Sequence, residues 1–318
     1  MSPTYWLIIY CLLILLASIG GGLLPVYIRL THRRMELTLS FVSGVMLGIG
    51  LLHLLPHAWA ERALALANDS SSPNYDPADI HTLVEPVLLW MLGGFLVMFL
   101  VERFFSFHQH PVELMAGSSG SMDSGEHAAG SCDDHHHGHE ITWKGAVIGL
   151  SLHSLLAGMA LAGSLEAGVN EGRNAALAGF GTFLVIFLHK PFDALAIGTL
   201  MARGNRSLRA KHLVNALFAL VIPLGAALMY LGLRLEGASG HALISVILAF
   251  SAGMFLCIAL SDLLPELQFH QHDRVKLSAA LLLGLALAWG VAKLESGGHG
   301  PDIDNHTELI EGVIPDGG

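Results

Sequence analysis

Eight stretches of roughly twenty apolar residues, the length that crosses ~30 Å of hydrocarbon as a helix, run through the 318-residue chain. They lie near 5–28, 37–60, 82–101, 145–165, 175–201, 213–233, 242–264 and 277–294. The runs are continuous and lack the in/out alternation of a membrane barrel. In lipid, a helix is then the form that satisfies its own backbone. The expected fold is an all-α polytopic membrane protein with eight transmembrane helices. A composition of 53% hydrophobic and 13% charged residues excludes an ordinary soluble domain. The first stretch is too long for the core of a signal peptide and no basic residue precedes it, so it is read as a retained helix with the mature chain starting at or near Met1.

Basic residues set the expected orientation. Arg29, Arg33, Arg34, Arg103, Lys144, Arg203, Arg206, Arg209, Lys211, Arg274 and Lys276 fall on one side, and Arg62, Arg173, Arg234 and Lys293 on the other. The richer side is read as cytosolic, which with eight spans places both termini outside the cytosol of a cell (inner or plasma) membrane. Residues 1–107 then hold spans one to three, 108–140 a cytosolic loop, 141–294 spans four to eight and 295–318 an extracytosolic tail. Glu295, Asp302, Asp304, Glu308, Glu311 and Asp316 make that tail acidic: a solvated segment, or one that concentrates cations. The loop is rich in Gly, Ser and Asp and is expected to be disordered. Its Cys132, His135, His136, His137 and His139 nevertheless offer thiolate and imidazole, so it reads as a flexible metal-binding tract or as a linker with incidental histidines. Cys11, Cys132 and Cys257 suggest no disulfide framework.

The sixteenth basic residue, Lys190, lies inside the fifth span in "FLHKPFDALAIG" with His189 and Asp193. Ionisable groups at bilayer depth cost about 2.5–3.5 kcal/mol each on insertion scales and mark functional sites. His189 and Asp193 are four residues apart, so they share a helix face. In the fourth span, His153 lies about 12 Å from the inner end and His189 about 21 Å below Ala175, so the two imidazoles share a depth. Two nitrogens and one oxygen suit a divalent transition metal, zinc first, with iron and manganese as alternatives. Pro191 removes a helical hydrogen bond and frees the Phe187 carbonyl. For Lys190 and Asp193 the plainer alternative is an i, i+3 ion pair.

An internal repeat joins the second and seventh spans. "SGVMLGIGLLHLLPHA" (43–58) aligns without gaps onto "AGMFLCIALSDLLPEL" (252–267), and the copies run in opposite senses. In secondary transporters such inverted repeats flank a midplane site. His53 and His57 near the outer end form a candidate entry relay, with His57 the rim residue of the pair. Asp262 and Glu266 near the inner end form a candidate exit relay.

His153 in "LHSLLAG", "HKPFD", "HLLPHA", "AGMFLCIALSDLLPE" and the histidine-bearing loop together resemble the Zrt/Irt-like (ZIP) family of divalent metal transporters. The resemblance covers nearly the whole chain. It implies inverted repeats of helices 1–3 and 6–8 around helices 4 and 5, and zinc carried into the cytosol as substrate, with Fe2+, Mn2+ and Cd2+ as competitors. It also implies His153, His189 and Asp193 as ligands and Met46 as a weak further one. Members commonly build a two-metal centre. Here Ser154 stands where Asn is common, Lys190 where an acid is common, Ile222 where some members have Glu, and Ala157 where a bridging acid is expected. One metal site therefore remains, with Lys190 in place of the second cation. The expected partners are the metal ion and the bilayer, with a homodimer allowed and no nucleic acid. No resident cofactor is required. Ala157 keeps a non-transporting metal sensor as the alternative. An intramembrane metalloenzyme is disfavoured, since the chain has no His-Glu-x-x-His, and the chain is read as no enzyme.

Overall fold

Apolar runs that bond their own backbone give helices throughout, and a computed structural model describes residues 2–27, 32–68, 80–105, 143–203, 207–236, 240–269 and 274–296. The helices are α1 (Pro3–Tyr27), α2 (His32–Ile49), α3 (Leu55–Ala67), α4 (Ile80–Phe105), α5 (Trp143–Asn170), α6 (Phe180–Arg203), α7 (Leu208–Ala219), α8 (Val221–Glu236), α9 (Gly240–Phe269) and α10 (Arg274–Ser296). No strand occurs among the described residues. α2 and α3 are continuous through one π-helical stretch, Gly50–Leu54, and α7 and α8 meet at Leu220, so ten helices make eight membrane-length apolar spans. The fold class read from the sequence holds.

The second span is longer than its apolar run suggests. It reaches Ala67 and takes Glu61 and Arg62 into the helix. Pro56 explains the π stretch, because its ring would collide with the carbonyl four residues back and a wider turn relieves the clash. His53 lies inside that stretch and is buried.

The second, fourth, fifth and seventh spans bury most of their surface, and α4 and α10 turn more of theirs outward, with Leu89, Trp90 and Leu92 exposed on α4 and Leu282, Leu283 and Trp289 on α10. α1 packs on α6, α5 on α8, α2 on α10 and α4 on α9. Exchanging the first span for the sixth, the second for the seventh, the third for the eighth and the fourth for the fifth leaves this set of pairs unchanged. Glycines set two of the crossings. A methyl group at Gly44 would strike the Leu281 carbonyl and one at Gly284 the Phe41 carbonyl. At the other crossing, Gly253 faces the Met91 carbonyl and Gly94 that of Phe250.

Gly253→Ala is therefore expected to destabilise the chain by about 1–3 kcal/mol, the usual cost of overpacking. Gly290→Ala, where nothing lies within 4 Å, should leave the melting temperature unchanged or slightly raised. Thermal unfolding of both variants in the same detergent checks the contrast.

Candidate metal centre

The i, i+4 spacing on α6 carries His189 and Asp193 to one face, and α5 brings His153 against it. His153 Nε2 and His189 Nε2 stand 3.4 Å apart, and His189 Nε2 lies 3.8 Å from Asp193 Oδ2. Donor atoms of all three residues fall within 4.8 Å of one another. Ligands at ~2.05 Å from a tetrahedral zinc stand about 3.3 Å apart, so these separations are close to those a bound ion requires. Both histidines are buried.

The protons follow from the partners. His189 Nδ1 lies 2.7 Å from the Val185 carbonyl, which can only accept, so Nδ1 carries the hydrogen and Nε2 presents its lone pair. Asp193 Oδ2 has no hydrogen-bond donor. In the metal-free site the His153 Nε2 hydrogen is the donor within reach of the His189 lone pair, and a cation placed there would take both nitrogens as ligands once the hydrogen moves to the unpartnered Nδ1 of His153. Phe255 of α9 closes one side, its ring centroid 6.2 Å from that of His153 and 5.9 Å from that of His189. Met46, which the sequence repeat matches to Phe255, is buried on α2 in the main apolar core.

Lys190 is fully buried and has more partners than a plain i, i+3 pair. Its Nζ donates to the Ser154 hydroxyl, lies 3.8 Å from Asp193 Oδ2 and sits 3.5 Å from the centroid of the Phe218 ring. Ser154 passes its own hydrogen to the Leu150 carbonyl at 2.6 Å. Ser154 is thus a relay that holds the ammonium beside the site. Phe218 supplies a negative ring face, a pairing with Lys190 that no sequence spacing indicates. Ala157 and Ile222 lie in the apolar core, and the backbone of Ile222 packs against Gly158.

A second cluster gathers where α3, α10 and the α5–α6 connection meet, and it corrects two readings. Glu295 is no part of a solvated tail, because α10 runs on to Ser296 and buries it. There it accepts from Gly181 N–H at 2.8 Å, in the first turn of α6, where free backbone donors and the helix dipole favour an anion. His57 is no rim residue: it is buried and its Nδ1 donates to Glu171 at 2.6 Å. Arg173, counted from the sequence only among the basic residues that set orientation, pairs with Glu171 at 2.6 Å and Glu295 at 3.4 Å. Burial raises the Glu171 carboxyl, but the hydrogen bonds and charges of His57 and Arg173 outweigh it and leave the group below its ordinary value. A helix drawn two residues past Lys293 would have found Glu295. Nothing in the sequence brings Glu171 and Arg173 to it.

The side chains of Asp262 and Glu266 lie outside the described residues, as do Cys132, His135, His136, His137, His139 and the tail beyond Ser296.

Comparison with known proteins gives one consistent answer. The family model "ZIP Zinc transporter" matches residues 4–146 and 106–292. Zinc transporter ZIP9-B of Xenopus laevis is 27% identical over 300 residues, covering 86% of this chain and 87% of that protein. Zinc transporter ZIP3 of Homo sapiens is 27% identical over 312 residues, covering 86% and 93%. Zinc transporter 3 of Arabidopsis thaliana is 24% identical over 268 residues, covering 80% and 73%.

Proposed function

Because the chain belongs to the ZIP zinc transporter family, we propose that this integral membrane protein carries divalent transition-metal ions, zinc first, into the cytosol through a single midplane site. Its ligands are His153, His189 and Asp193. The observation that carries the reading is the buried Nε2, Nε2, Oδ2 set with the lone pair of His189 fixed inward by Val185.

Lys190 gives the site its reversibility. With the ion present, its ammonium stays on Ser154 and Phe218. With the ion gone, it is the positive charge that remains beside Asp193. A positive charge beside the ligands also weakens binding, which a transported ion needs in order to leave. Inward movement needs no fuel domain: an inside-negative potential of ~100 mV supplies about 4.6 kcal/mol for a divalent ion.

The helix pairing and the matched glycine crossings support two inverted three-helix units, spans one to three and six to eight, around α5 and α6. On this topology both termini face away from the cytosol, and Asp262 and Glu266 remain the candidate exit residues. A metal sensor that binds without transporting is the second reading, favoured by Ala157, which puts an apolar methyl group where an acid would bridge two metals.

Uptake of radioactive zinc into proteoliposomes, with competition by Fe2+, Mn2+ and Cd2+, separates the two. Saturable uptake supports the transporter, and binding without uptake leaves the sensor. Deleting residues 119–139 should leave saturable uptake in place and alter mainly retention of metal on the inner side, because the midplane ligands lie elsewhere. A well-folded deletion that carries no zinc would place the loop in the transport path.

A further inference from the structure

We propose that His53, His57 and Glu295 form a second metal site for a divalent transition ion, and that the Arg173 guanidinium holds its place as a tethered cation which the incoming metal displaces.

His57 is arranged as metal-ligating histidines usually are, with Nδ1 held by the Glu171 carboxylate so that Nε2 presents its lone pair, whereas His53 turns Nδ1 toward Glu295, the carboxylate that would share the ion with it. His53 Nδ1 lies 2.7 Å from Glu295 and His57 Nδ1 lies 2.6 Å from Glu171. The two Nε2 atoms meet different fates. That of His57 takes a hydrogen bond from Arg173 Nη1 at 3.1 Å, whereas that of His53 is buried with no partner at all. That free Nε2 can take the ring hydrogen when an ion replaces it on Nδ1, so that His53 Nδ1, Glu295 and His57 Nε2 can meet on one ion. Donor atoms of His53, His57 and Glu295 lie within 4.8 Å of one another, as the midplane ligands do.

The charges favour exchange. Glu171 and Glu295 bring two negative charges, and Arg173 answers with one positive charge shared between both carboxylates and His57. A divalent ion would neutralise both carboxylates and use the lone pair of His57 that the guanidinium now occupies. There is room for the exchange, because a cavity of about 420 Å³ lined by Leu52, His53, His57, Glu171, Arg173 and Trp289 adjoins the cluster. Arg173 itself is imperfectly served, since its Nε is buried without an acceptor. The site stands beyond the transport reading, because ion binding here does not depend on what the midplane ligands do.

The test uses the purified full-length chain with the midplane ligands removed (His189→Ala with Asp193→Asn), titrated with Co2+. Bound ions per chain are counted by equilibrium dialysis, and the visible d–d absorption reports coordination. Adding His53→Ala to that background should remove one Co2+ per chain. Adding Arg173→Gln instead should tighten that ion by about tenfold or more, since a unit positive charge is withdrawn from its neighbourhood. Ions held by the 119–139 tract are common to every variant and cancel. An unchanged Co2+ count with His53→Ala, or an unchanged affinity with Arg173→Gln, overturns the proposal. Should His53→Ala fail to fold, Glu295→Gln decides: it keeps the side-chain volume and an acceptor for Gly181 N–H, so loss of one Co2+ supports the site and retention refutes it. Wild-type zinc uptake by the midplane variant would sink the transport reading alone and leave this site standing.

Discussion

Replacing His189 by alanine is expected to remove saturable zinc uptake, by about 100-fold or more, while the chain still reaches the membrane and folds. Loss of a partner that merely orients a ligand typically costs 10–100-fold in metal affinity or activity, and loss of the ligand itself costs no less. Two donors, His153 and Asp193, would remain, too few to strip water from a divalent ion in a buried site. The fold should survive because the imidazole hydrogen-bonds only to Val185 in its own helix and, at 3.4 Å, to His153 of the donor set. Proteoliposome uptake alongside thermal unfolding checks both halves. A variant that folds and transports at the parental rate would remove α6 from the pathway.

Lys190→Met should act in the opposite sense on binding. At an effective dielectric constant of ~20, a unit charge and a divalent ion about 5 Å apart repel by about 7 kcal/mol, of which part is offset by the pull of the ammonium on Asp193. Deleting the ammonium should tighten zinc by about tenfold or more and slow its release, so turnover falls although affinity rises. Methionine matches the length of the lost stem and keeps a soft contact with Phe218. The metal-free variant is expected to melt lower than the parent, because an uncompensated buried charge costs about 3–5 kcal/mol, and Asp193 is left with no other cation in the site. Zinc should then raise its melting temperature more than it raises the parent's. Equal melting curves with and without zinc in parent and variant would show that Lys190 is not the counter-charge.

Much of the midplane site was legible before any coordinates. Four-residue spacing puts His189 and Asp193 on one helical face in any α-helix, and distance from a helix end gives His153 its depth. Both are one-dimensional properties of a helix, so the sequence carries them. Lys190 was visible as a charge in lipid, but its mooring was not. Ser154 is read as a departure from a motif until α5 and α6 are packed together, and Phe218 lies on another helix with no periodic relation to either. The cluster around Glu295 was hidden for a related reason. Glu171 and Arg173 sit in a connection, Glu295 at a helix end and His53 in a π stretch, so no single period joins them. Pro56 announced a bend in the second span, but a proline signals only that the regular ladder is interrupted and does not say whether the chain kinks or widens.

The widened stretch at Gly50–Leu54 amounts to a change of phase. A straight α-helix advances about 100° per residue, so seven residues bring Met46 and His53 nearly into line. A π-helical stretch holds an extra residue in its turn and offsets everything beyond it by about one residue's rotation. The two ends of the second span are therefore decoupled in azimuth. The half that contains Gly44 and Met46 is clocked by its crossing with α10 and by the apolar core, and the half that contains His57 is clocked independently toward Glu171 and Arg173. One span can thus serve two environments whose angular demands would conflict along an uninterrupted helix.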